Sequence, residues 1–96
     1  MPSKTKRPLF NLGQTVATPG ALKAFQEANM TGLELLARHV TGDWGDLAEE
    51  DKEENELALV ERLRILSAYN LPTGEKVWVI TEADRSATTL LLPEEY

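Results

Sequence analysis

The sequence predicts an α+β domain, with two to three N-terminal helices packed on a C-terminal three-stranded antiparallel β-meander. Three observations lead there. Helix-start chemistry precedes apolar residues spaced three and four apart in the first two thirds of the chain. From about Leu63 the apolar period shifts toward two, and the runs KVWVIT and ATTLLL are rich in β-branched and aromatic residues. The turn-forming stretches LPTGE and TEADRS separate those runs.

Taken in order, residues 1–8 carry Lys4, Lys6, Arg7 and two prolines and are expected to be a flexible basic arm, with residues 9–96 forming one domain. FNLGQTVA at 10–17 has the makings of a short strand, which Gly13 weakens. Thr18-Pro19-Gly20 starts the first helix: Thr18 is suited to cap an orphan amide, and Pro19 at the first position forfeits no bond. Its expected inward stripe is Leu22 and Phe25 with Ala21 and Ala28, and Asn29 is the expected left-handed stop. Thr31-x-x-Glu34 reads as a capping box for the second helix, with Met30 and Leu35 placed as a staple. That helix is expected to bury Leu33, Leu36, Ala37 and Val40, with Arg38 and His39 in its last turn and Gly42 ending it. A third helix starts near Asp46 or Asp51; its first turns, AEEDKEEN, are polar all round, and Leu57 and Val60 offer the face to bury. Pro93 stops the last strand.

Composition narrows the function. The 96 residues include 16 acidic and 10 basic side chains, for a net charge of −6, and no cysteine. The acidic balance argues against direct nucleic-acid binding, which relies on Lys and Arg displacing counterions. Absence of cysteine removes disulfides, thiolate metal sites and thiol nucleophiles. No apolar run reaches the ~20 residues a membrane span needs, and the basic opening lacks the apolar core of a secretory signal. A soluble, cytoplasmic protein without membrane attachment is expected. The charge is uneven: residues 43–56 hold eight acidic groups and Lys52, a net −7, so the rest of the chain sums to +1.

Candidate chemistry falls in two polar clusters at element ends: His39, Asp43, Trp44 and Asp46, and then Glu82, Asp84 and Arg85 with Ser86. Metal ligation by His39, Asp43, Asp46 and Asp84 or Glu82 is one reading, but the spacing matches no recognised loop, and capping of turns explains the aspartates as well. His39, an aspartate and Ser86 suggest a triad, yet no nucleophile elbow or oxyanion loop accompanies them. No glycine-rich phosphate loop is present, so no cofactor is expected. Trp44 is either a plug over the core or an exposed hot spot, whereas Trp78 is expected to be packed. Arg85 either pairs within its own loop or reaches Asp43 or Asp46 to join the clusters.

GDWGDL at 42–47 and TEADRSATT at 81–89, together with Asp51, Asn55 and SAY at 67–69, resemble a family of small bacterial proteins found in chromosomes and on plasmids. Names carried by that family include plasmid-related protein and type I restriction endonuclease subunit M. The resemblance spans about residues 10–96 and implies no established activity; LALVERLRIL stands where the family pattern has a glycine-containing break. The restriction label implies a methyltransferase, whose cofactor loop and Asn/Asp-Pro-Pro-aromatic motif this chain does not contain.

The expected function is therefore a non-enzymatic protein-interaction module binding a protein partner through the patch around Asp43, Trp44 and Arg85. Two alternatives remain open: an acidic decoy that imitates a nucleic-acid backbone toward a DNA-handling or restriction enzyme, and a small metal-dependent hydrolase or nuclease. A homodimer through the final strand, TTLLL, is also expected as a possibility.

Overall fold

The computed structural model describes residues 7–96; the basic arm read at 1–8 therefore lies, up to residue 6, outside the described residues, and Arg7 and Pro8 are exposed. The strands are β1 (Gln14–Ala17), β2 (Ile65–Asn70), β3 (Lys76–Thr81) and β4 (Ala87–Leu91). The helices are α1 (Pro19–Glu27), α2 (Gly32–Val40) and α3 (Glu49–Glu61), with a 3-10 turn at Pro93–Glu95.

The α+β class stands, but the three-stranded antiparallel meander does not. The sheet has four strands in the order β1-β4-β3-β2, mixed, with β1 parallel to β4. β2, β3 and β4 form the antiparallel portion, in which Ser67 pairs with Val79 and Val79 with Leu90. The missing strand is the short QTVA segment. Gly13 turns the chain with φ +67°, and a Cβ there would strike the Ser86 carbonyl, so only glycine lets β1 come alongside β4. β4 is consequently central. Its nearly continuous apolar run, TTLLL, suits a strand covered on both faces, and it has no free edge through which to dimerise.

α1 and α2 cover one face of the sheet. Thr18 caps α1 by accepting from the Ala21 amide at 3.1 Å, and Asn29 stops it with φ +58°. Glu95 reinforces the start, accepting from the Thr18 hydroxyl and from the Gly20 amide at 3.1 Å; the Thr18 hydroxyl first, then the Leu92 amide, hold its carboxyl below the usual range. The buried stripe of α1 is Ala21, Ala24 and Phe25, while Leu22 points outward. α2 is rotated from expectation too: Leu35, Leu36 and His39 are buried and Leu33 is exposed. Thr31 stands at the N-cap of α2 without making the side-chain bond of a capping box. These stripes pack with Tyr69, Leu71, Val77, Val79 and Leu90 into the main core. A second, smaller core gathers Trp44, Ala58 and Ile65, with Phe10, Leu47 and Leu59 against it.

α3 begins at Glu49 after Ala48, between the two starts expected at Asp46 and Asp51, and it faces the sheet with unexpected residues. Asn55 and Ala58 are buried; Leu57 and Val60 are 53% and 77% exposed. Two anchors set that rotation. The Asn55 amide brackets β2, donating to the Leu66 carbonyl at 2.7 Å and accepting from the Leu66 amide at 3.2 Å. The Arg85 guanidinium takes the Ala58 carbonyl at 3.0 Å and the Leu63 carbonyl at 2.7 Å. Polar anchoring decides the helix face here, against its apolar residues.

Candidate functional site

Phe10 joins the two polar clusters of the sequence. Its ring meets His39 edge-on at 5.3 Å, stacks near Trp44 at 6.5 Å, and lies 5.6 Å beneath the Arg85 guanidinium. Nothing in the local sequence around Phe10 signals this; a lone aromatic ahead of a short strand reads as ordinary core. The junction is interior, and its polar groups are spent on the fold.

His39 is fully buried. Nδ1 lies 2.5 Å from the Ser67 hydroxyl and Nε2 2.9 Å from that of Thr81. Thr81 and Thr88 hydroxyls are 2.7 Å apart, and Thr88 donates to the Leu12 carbonyl at 2.7 Å. Each hydroxyl has one proton. Thr88 gives its proton to Leu12, so Thr81 gives its own to Thr88 and accepts from His39 Nε2–H. Nδ1 then accepts from Ser67. Burial, with the charge of Arg85, pushes the imidazole down to about 4, keeping it neutral at pH 7. A sealed ring with both nitrogens engaged ties α2 to β2 and β3.

The remaining cluster residues behave alike. Asp43 pairs with Arg38 at 2.7 Å and accepts from the Gly45 amide at 3.2 Å, while its carbonyl takes the Tyr69 hydroxyl at 2.6 Å. Burial pushes Tyr69 up to about 12, so it remains a donor. Trp44 is 4% exposed, and its Nε1–H donates to Glu56 at 2.9 Å. It is the plug. Asp46 accepts from the Asn70 amide at 3.0 Å, and its own amide donates to the Ala68 carbonyl at 2.6 Å. Asp84 accepts from the Ser86 amide at 3.0 Å, and the Ser86 side chain first, then that amide, lower its carboxyl below the usual range. The Glu82 side chain is exposed, and its carbonyl accepts from Arg85 at 3.2 Å. Arg85 is buried against backbone carbonyls, with φ +60°, and reaches neither Asp43 nor Asp46.

GDWGDL thereby acquires a physical role. The outer edge of β2 would expose the amides and carbonyls of Leu66, Ala68 and Asn70. Asn55 occupies Leu66, a parallel bridge at Gly45 together with the Asp46 amide occupies Ala68, and the Asp46 carboxylate occupies Asn70. Gly45, at φ +79°, abuts the strand so closely that a Cβ would overlap the Ala68 carbonyl and the Tyr69 ring. Among the described residues, no three His, Cys, Asp or Glu side chains are grouped so as to hold a metal.

An exposed surface suited to a partner lies on α3. A groove of about 560 Å³ runs between the helix and the sheet, floored by Leu47, Ala58, Leu66 and Trp78, with Asp51 and Glu54 on one wall and Arg64 on the other. Arg64 donates to the Tyr96 hydroxyl, and Tyr96 meets Trp78 edge-on at 5.8 Å. Above the groove, Leu57, Val60 and Leu63 form an exposed apolar ridge among the carboxylates of Glu50, Glu53, Glu54 and Glu61. Among the described residues the carboxylates of α3 make one ion pair, Lys52 with Glu49 at 3.7 Å. The sequence signal for this surface was the acidic run itself; its apolar crest was hidden by the expectation that leucines turn inward. No family model, curated protein or solved structure matches the chain.

Proposed function

We propose that the protein is a small non-enzymatic interaction module that offers α3 and the groove beside it to a protein partner. The observation that carries this reading is the inverted helix: Asn55 and Ala58 face the sheet while Leu57 and Val60 face out, flanked by carboxylates. Apolar side chains held outward by polar anchors supply contact area, and the acids around them, without ion pairs among the described residues apart from Glu49 with Lys52, favour a surface with Lys or Arg beside apolar residues. A protein segment fits better than a small ligand. Among the described residues every buried polar side-chain atom already has a partner, so none waits in the groove to orient a small polar molecule.

These carboxylates also favour a second reading, the acidic decoy for a DNA-handling enzyme, which needs charge and no apolar crest. A partner isolated on the wild-type protein and titrated against two variants separates the two. On the module reading, Leu57→Ser with Val60→Ser weakens binding about tenfold or more with the melting temperature unchanged. Glu53→Gln with Glu54→Gln weakens it less and flattens its salt dependence. On the decoy reading the charge variant abolishes binding and the apolar variant leaves it intact.

A further inference from the structure

The sheet has two edges, and they differ sharply. The β2 edge is occupied by Gly45, Asp46 and Asn55 as described above. On the other edge, β1 bonds to β4 through the Gln14 amide to the Ser86 carbonyl at 3.0 Å and the Thr18 amide to the Leu90 carbonyl at 2.9 Å. Residues alternate along a strand, so Gln14, Val16 and Thr18 turn toward β4, and the amides and carbonyls of Thr15 and Ala17 turn outward. Among the described residues, nothing bonds to them.

The charge pattern indicates what meets this edge. Residues 8–22 contain no charged side chain, in a chain of net charge −6. The acidic segment 43–56 borders the opposite edge, beside β2. Two copies meeting at β1 therefore join strands that carry no charge of their own, where Glu95 is already bonded to Thr18 and Gly20, and keep their acidic segments at the far ends. Two copies meeting at α3, with seven acids and Lys52, would instead oppose −6 with −6. Natural edges are guarded by Lys, Pro, an inward charge or short length; of these QTVA has only its four-residue length, which limits the contact without blocking it.

We propose that two copies of this chain associate through β1, antiparallel about a two-fold axis at Val16, continuing one sheet across both molecules. In that register Thr15 exchanges both backbone bonds with the partner's Ala17, and Ala17 with the partner's Thr15. Val16, 44% exposed, lies beside the partner's Val16 as the closer, non-bonded pair. Pro19, lacking an amide, limits the pairing to this short stretch. Assembly stops at two because the β2 edge is closed, so the contact makes a dimer and not a fibre.

The test is sedimentation of the full chain from about 10 µM to about 1 mM, the range suited to a short edge contact below ~1,200 Å². Wild type should pass from monomer to dimer, and Val16→Lys should remain monomeric with an unchanged melting temperature. Leu33→Lys, on an exposed position of α2, should dimerise as wild type does. Amide exchange at Thr15 and Ala17 should slow as the wild-type dimer forms, a readout that needs no variant and survives any misfolding of Val16→Lys. A monomer throughout the range overturns the proposal. So does a dimer that Val16→Lys leaves intact, or one whose formation leaves those two amides unprotected.

Discussion

His39 is the residue whose burial has the clearest measurable consequence. The ring is neutral in the fold, with its pKa lowered to about 4, against the ordinary 6.5 of the unfolded chain. Above pH 6.5 neither state holds the extra proton, and stability does not depend on this group. Between pH 6.5 and 4 the unfolded chain takes up a proton that the folded chain does not, so stability falls with falling pH, by about 3 kcal/mol in total. Below pH 4 the effect levels off. Urea titrations of wild type and His39→Gln across this window isolate the contribution, because the carboxylates titrate in both proteins; the wild-type curve should be steeper. Arg85 gives a second residue-scale expectation. Its guanidinium closes the end of α3 through carbonyls and makes no carboxylate pair, so Arg85→Met should lower folding stability by about 3 kcal/mol. Chemical denaturation measures that loss directly. A binding residue would instead leave stability unchanged.

At the scale of elements, β2 is held from outside by side chains that imitate a neighbouring strand. Asn55→Ala would open the Leu66 amide and carbonyl at a sheet edge, costing about 2 kcal/mol and promoting concentration-dependent aggregation. Denaturation midpoint and light scattering report the two effects. Much of the element plan was legible in the sequence. Thr18-Pro19-Gly20 started α1, Asn29 stopped it, and KVWVIT coincides with β3, because caps and β-branched runs act within a few residues. What escaped was set by distant contacts. β1 was read as a short strand, but its parallel partner lies about seventy residues onward, and only the Gly13–Ser86 approach reveals the pairing. The helix faces failed for a related reason. His39 turns α2 inward through Ser67 and Thr81, and Asn55 does the same for α3, so polar bonds outranked the leucine pattern. The bonds that the structure shows at the candidate clusters are architectural: plugging, capping and tying.

Across the whole molecule, the distribution of charge matters more than its sum. A neutral stretch borders β1, and the acidic segment borders β2 and mounts α3 with an apolar crest. Among the described residues no helix is long and apolar enough to cross a membrane. The molecule therefore presents two dissimilar sides, the first proposed above to meet its own copy and the second a protein bearing basic and apolar groups. The most direct check of that arrangement is a chemical-shift map of the labelled protein on adding the partner isolated on it. The account predicts the largest changes at residues 49–63, at Leu66 and at the Trp78 indole. Changes centred instead on residues 43–46 and 82–86 would contradict it.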